Sequence, residues 1–262
     1  MSNTSSFVEK QIADYLCKKH YYELNNHWKK LIKMMFPLIM PNDIIYCEDV
    51  KMLLKQDVFI VATGIKKTIS IKSGKDATLH CETLEHFCSF LKYLKVNDYD
   101  IETLKLYHYG DGTIDGTGEK REHAEALKLK YMKRIQTFNT NVNKPYLLRE
   151  IIDRFLSCGT LNQCDKVDYL YYGNFYEGGL YDMNDLINFF SIQHVEKIRG
   201  IHFGTFHYTA YYRFITSKNT DERDRHYIAI KWFGYEIDLD KFVKYRKIKN
   251  RDTNHISSSF EL

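Results

Sequence analysis

Between Asp57 and Glu82 the chain carries two short apolar runs, Val58 to Thr63 and Thr68 to Ser73, on either side of the turn signal Gly64-Ile65-Lys66-Lys67. Runs of this length, rich in β-branched residues and bounded by turn formers, predict a β-hairpin. Polar residues nevertheless stand inside the second run. Side chains at i and i+2 share one face of a strand, so Ser70 and Lys72 point one way and Ile69 and Ile71 the other. Asp57 begins the neighbouring strand and lies on the Ser70/Lys72 face if the register allows it. A carboxylate and a lysine held side by side on rigid strands are the minimum equipment for placing a divalent cation and a water beside a phosphate.

An acid at the head of one strand, followed by a strand carrying acid-x-lysine, resembles the PD-(D/E)XK nuclease superfamily, which includes restriction endonucleases and Holliday-junction resolvases. The matching residues are Asp57 and Ser70-Ile71-Lys72, and the longer run from Ser70 through Gly74 to His80 and Glu82 is similar to restriction-like members. The chain departs from that pattern at Ser70, where the second carboxylate usually stands. The resemblance then implies that Glu82 or Glu23 supplies the missing acid, with Glu9 the alternative to Glu23 as the glutamate of the preceding helix. It also implies that Asp57 and a second acid hold Mg²⁺ or Mn²⁺ and that Ser70 bonds to the ion's water shell. Lys72 would orient and help deprotonate the attacking water, or stabilise the pentavalent phosphorus. The fold implied is mixed α/β, a restriction-endonuclease-like central mixed sheet flanked by helices, with a second α+β half.

A chain of 262 residues can bury a sizeable core. We expect a nuclease-like core over residues 1–100 (N-terminal helix, hairpin, following helix) and additional helices and strands over 101–262, or one domain throughout. The 21 tyrosines and 16 phenylalanines against 3 prolines favour strands and packed surfaces, and they supply rings for stacking on bases. The net charge of +4 attracts phosphate backbones only where it clusters. The six cysteines contain no C-x-x-C pair, which points away from a zinc site or disulfide framework and towards reduced thiols in a cytoplasm. The longest apolar stretch, Met34 to Met40, contains a proline and is far too short to span a bilayer, and the N-terminus has no signal-peptide pattern.

Ser6 to Glu9 fits a capping box, and helical spacing from Phe7 to Met35 predicts one long helix over 6–35 or two broken near His20. Ile44 to Tyr46 starts an edge strand. After the hairpin, Gly74 to Thr78 reads as a loop and Leu84 to Leu94 as an amphipathic helix, with His80 and Glu82 at its N-terminus, where anions are favoured. The glycine-rich segment Tyr107 to Gly118 lacks the oxygens of an EF-hand and suits a mobile loop closing on a ligand. A charged helix follows over 119–135, then a proline-started helix from Pro145 ended by Gly159, and a helix capped by Asp182. Strands are expected at 167–172, 201–208, 211–216 and 226–232. His202 and His207, five apart, would not share a strand face.

Lys75, His80, Arg121, Lys244, Arg246 and Lys247 are the candidate contacts to nucleic acid, the last three from the basic run Lys241 to Arg251 with its interleaved Phe242 and Tyr245. Three functions compete. The first is a Mg²⁺-dependent endonuclease acting on DNA, of restriction or defence type, with RNA left open as a substrate and a two-fold dimer favoured by double-strand cleavage. The second is a nucleic-acid-binding protein on the same fold with a decayed catalytic centre. The third is an interaction protein in which Lys72 merely pairs with Asp57.

Overall fold

In the computed structural model, residues 4–50, 55–73, 77–118, 121–160, 166–193, 199–210 and 222–257 are described. Lys75, the 211–216 strand and the Ser6 side chain lie outside this set. The N-terminal segment forms α1 (Thr4–Leu16), β1 (Lys19–His20) and α2 (Asn26–Met35) rather than one helix. The break falls where Lys18 adopts a left-handed φ of 61° and Lys19 and His20 pair with Ile45 and Ile44 of β2 (Ile44–Asp49). Asn25 then caps α2 by accepting from the Trp28 amide.

The hairpin forms as β3 (Val58–Ala62) and β4 (Ile65–Lys72), but its turn is tighter than Gly64–Lys67. Ala62 pairs with Ile65, leaving only Thr63 and Gly64 between the strands, at φ of 52° and 76°. Two positive φ values are what a two-residue hairpin turn with the native strand twist requires. The following segment is a strand, β5 (Ala77–Thr83), and not a loop leading to a helix. Helix α3 (Leu84–Tyr93) starts only after it, capped by Thr83, and α4 (Asp98–Tyr109) follows with an Asn97 cap and a left-handed Gly110 behind it.

The glycine-rich segment is pinned rather than mobile. Asp111 accepts from the Thr113 amide and hydroxyl, from the Gly118 amide and from Arg225, and its side chain is fully buried. The charged stretch after it is two helices, α5 (Ala124–Lys130) and α6 (Met132–Val142). Helix α7 (Pro145–Asp153) has proline in its first turn and runs into a π-helical turn, Arg154–Cys158, that ends at Gly159. Then come β6 (Tyr169–Gly173), β7 (Gly178–Asp182), α8 (Met183–Ile192) capped by Asp182, β8 (His202–Phe203), β9 (Phe206–Ala210), β10 (Tyr227–Trp232) and α9 (Tyr235–Ser257). Because β8 and β9 form a hairpin around Gly204, His202 and His207 are direct cross-strand partners and do share a face.

Two sheets result, flanked by helices. The first is mixed, ordered β1-β2-β3-β4-β6-β7, with β4 antiparallel to β3 and parallel to β6. The second is antiparallel, ordered β5-β10-β9-β8. Strand pairing crosses residue 100 in both sheets, so a unit ending there would separate β4 and β5 from their partners β6 and β10. The alternation of β3 and β4 divides two cores. Val58, Ile60, Ile69 and Ile71 pack with Trp28 and Ile32 beneath α1 and α2. The other face meets the larger core of Leu170, Phe87, Phe155, Phe203 and Trp232.

Thr63 is a β-branched residue in the left-handed region, a conformation that costs an L-residue about 1–2 kcal/mol. Thr63→Asn should therefore raise the free energy of unfolding by about 1 kcal/mol, read from urea denaturation, since asparagine tolerates this conformation before glycine. An unchanged or lower midpoint would mean that the 2.7 Å hydroxyl bond of Thr63 to the Ala62 carbonyl matters more.

Candidate active site

The register that pairs Val58 with Ile69 sets Asp57 opposite Ser70, on the face shared with Lys72. The Asp57 amide donates to the Ile69 carbonyl at 2.9 Å, which fixes the backbone. Its Oδ2 accepts from the Ser70 hydroxyl at 3.0 Å and the Ile71 amide at 2.5 Å. The Lys72 ammonium stands 3.7 Å from the same oxygen and donates to the Ile71 carbonyl at 3.2 Å. Every described contact of this carboxylate falls on Oδ2, so Oδ1 is the oxygen on offer to an incoming group. Solvent reaches the cluster: the Lys72 and Asp57 side chains are 23% and 20% exposed. Asp57, Ser70 and Lys72 thus form one group.

Glu82 and Glu23 are committed elsewhere. Glu82 is buried on β5, where its Oε1 and Oε2 accept from the Arg154 Nε and terminal nitrogen at 2.9 and 2.6 Å, and His80 Nε2 meets Oε1 at 2.7 Å. Burial pushes the Glu82 carboxyl up, but Arg154 and His80 outweigh it and hold the group below its ordinary range. Glu23 is exposed in the 3-10 turn after β1 and accepts from the His20 amide at 2.7 Å, closing its own turn. Among the described residues no group of three or more His, Cys, Asp or Glu side chains gathers as a metal cage.

The candidate nucleic-acid contacts also divide. His80 is buried against Glu82 and the Phe155 ring, and burial lowers its basicity. Arg121 donates to the carbonyls of Tyr107, His108 and Glu122, bracing the segment after α4. Arg246 pairs with Asp185 at 3.4 Å. Lys244 and Lys247 are exposed on α9.

Comparison with solved structures decides the architecture. The crystal structure of restriction endonuclease MspI in complex with its cognate DNA aligns with a TM-score of 0.50, over 87% of this chain and 88% of that one, at 12% sequence identity. The chain has a restriction-endonuclease-like fold. No protein-family model and no curated protein sequence matches it.

On this restriction-endonuclease-like frame a second lysine joins the group, one that no spacing in the sequence announced. Lys55, two residues before Asp57, donates its ammonium to the Leu79 carbonyl of β5 and so ties the first sheet to the second. Its stem lies on Gly159: a Cβ there would come within 2.9 Å of Lys55 Cγ, and the φ of +66° independently demands glycine. Burial lowers Lys55 to about 7, the nearby Lys72 charge adding to the effect while Asp57 and Glu82 oppose it. Beside Gly159 a cleft of about 780 Å³ opens, lined by Phe90, Tyr93, Arg154 and Lys166 among others. Arg154 was equally invisible to sequence reasoning, because its partner Glu82 is 72 residues away.

Removing one member of a buried ion pair leaves an uncompensated charge, so Arg154→Met should cost about 3–5 kcal/mol in chemical denaturation. In the wild type the Glu82 contribution is present above its unfolded value of 4.5 and is lost as pH falls through the lower folded value. Lys55 contributes a penalty where Glu82 contributes stability, yet both make stability rise with pH. The folded Lys55 value of about 7 lies below the unfolded 10.5, so its burial penalty is complete below pH 7 and fades as pH climbs towards 10.5. The stability of Lys55→Met relative to wild type should therefore fall across that window. A difference independent of pH between 7 and 10.5 would contradict the assignment.

Proposed function

We propose that the protein is a metal-dependent endonuclease that hydrolyses DNA phosphodiester bonds, of restriction or defence type. The observation that carries this reading is the convergence of Asp57, Ser70 and Lys72 on one solvent-reached face of β3 and β4, the Lys72 ammonium 3.7 Å from the carboxylate. The MspI structure, with its cognate DNA, supports DNA as the partner. The donors at the cluster are hard oxygens with no thiolate or imidazole among them, which suits Mg²⁺ or Mn²⁺ better than zinc. Asp57 would hold the ion through Oδ1, and with one carboxylate on offer most of its coordination would be water. Such an ion supplies Lewis acidity at the phosphoryl oxygen.

The chain's own groups carry the rest of the proposed chemistry. Ser70 and the Ile71 amide fix the Asp57 carboxylate in one orientation, so it is preorganised before any ligand arrives. Lys72 places a positive charge where a pentavalent phosphorus would develop negative charge, and its amine can orient the attacking water. Lys55 keeps the strand bearing Asp57 seated against β5.

A second reading, a nucleic-acid-binding protein without catalysis, is favoured by the engagement of Glu82 with Arg154 and of Glu23 with its own turn, which leaves Asp57 without a partner acid among the described residues. Plasmid nicking separates the two. Wild type with Mg²⁺ or Mn²⁺ should nick DNA, while Asp57→Ala and Lys72→Ala should each lose activity by about 100-fold or more. Both variants should retain DNA binding in gel shifts. Metal-independent cleavage, or full activity in either variant, would exclude this site; binding without nicking by wild type would establish the second reading.

A further inference from the structure

A cavity lined by neither Asp57 nor any of its partners has the chemistry of a ligand site. It lies against β9, between the start of α5 and the turn after β10, and has a volume of about 370 Å³. That is within the range of about 300–1,000 Å³ usual for small-molecule sites. Among its described lining residues are three cations, Arg121, Lys128 and Arg199, against one carboxylate, Glu125, which already accepts from Lys128 at 2.7 Å. Lys128 is held along the wall: a Cβ on Gly200 would meet its Cε at 3.2 Å, and Gly200 has a φ of +89°. The same lining offers an aromatic surface. Phe233 is 45% exposed and makes an edge contact with the His207 ring, centroids 5.0 Å apart. Burial, with help from His202 and Lys128, keeps His207 below its ordinary basicity.

We infer that this cavity binds a nucleoside monophosphate group, with Lys128 and Arg199 on the phosphate and Phe233 against the base. Guanidinium and ammonium groups recognise phosphate through charge-assisted bonds. An exposed ring stacks on any base, since every base has a π-face. A free nucleotide and the unpaired terminal nucleotide of a DNA strand present this same chemistry. The inference does not depend on cleavage at Asp57, because the site is read by binding alone and without metal.

Calorimetry on the full chain tests it, with adenosine 5′-monophosphate and inorganic phosphate as probes. Wild type should bind the nucleotide more tightly than phosphate. Lys128→Gln combined with Arg199→Gln should weaken nucleotide binding about tenfold or more, equivalent to about 1.4 kcal/mol or more. Phe233→Ala should bring the nucleotide down to the affinity of phosphate, and the charge-keeping pair Lys128→Arg with Arg199→Lys should still bind. Displacement of the nucleotide by a 5′-phosphorylated duplex with an unpaired end, but not by a flush one, would assign the site to strand ends; displacement by neither would assign it to the free nucleotide. Absence of nucleotide binding in wild type, or binding indifferent to loss of both charges in a folded variant, would overturn the inference.

Discussion

A slip of one residue in the pairing of β3 with β4 would turn Ser70 and Lys72 into the core beneath α1 and α2 and present Ile69 and Ile71 to Asp57. That register is therefore the constraint on which the rest of the molecule depends. It is enforced from both sides: Ile69 and Ile71 are fully buried with Trp28, and Ser70 is fully buried but bonded to Asp57. The parallel pairing of β4 with β6 adds a third restraint, aligning Ser70 with Leu170 and Lys72 with Tyr172. A parallel neighbour needs a crossover, and here the crossover contains β5 and α3 to α7. The second sheet thus begins inside the connection between two strands of the first, which is how β5 comes to lie against Lys55.

Electrostatics then sorts the acids of this region into two kinds. Glu82 is desolvated to the point where it must be paired, and Arg154 meets it with two nitrogens while stacking over Phe90 at 4.5 Å. A carboxylate so engaged is a joint between β5 and the π-helical turn, since taking it away would strand the guanidinium. Asp57 is partly solvated, and its described contacts all fall on one oxygen. The contrast between the two acids follows from burial, and position in a motif does not reveal it.

Local patterning carried much of this into the sequence. The alternation from Thr68 to Lys72, the proline-started α7, the Asp182 cap and the stripe of α3 are each written within a few residues, and each appears where its spacing put it. Non-local pairing was not legible. Gly74 to Thr78 reads as a loop, and His80 and Glu82 as the approach to a helix, until β10, about 150 residues later, gives Ala77 to Thr83 its ladder. Lys55, Arg154 and the Arg225 contact to Asp111 bring together groups that no periodicity links. Counting along a single strand puts His202 and His207 on opposite faces, but a glycine folds the segment back on itself and makes them cross-strand partners. Lys67 and Asp168, paired at 3.2 Å beside the β4–β6 ladder, belong to the same class.

The charge balance of the candidate site bears on the order in which ligands would assemble there. Among the described residues Asp57 is the one acid in direct contact with Lys72, and the Lys55 ammonium adds a partial positive charge within electrostatic reach of both. A surface with more cationic than anionic character attracts a phosphodiester before it attracts a divalent ion. A strand lying across Lys72 would bring its own phosphate oxygens, and with Asp57 Oδ1 these make the kind of oxygen set that magnesium shares between protein and substrate. Ser70, standing where the resemblance to PD-(D/E)XK nucleases would place a second acid, need not therefore silence such a site. It would make cation affinity depend on bound DNA, whereas two carboxylates would hold the ion beforehand.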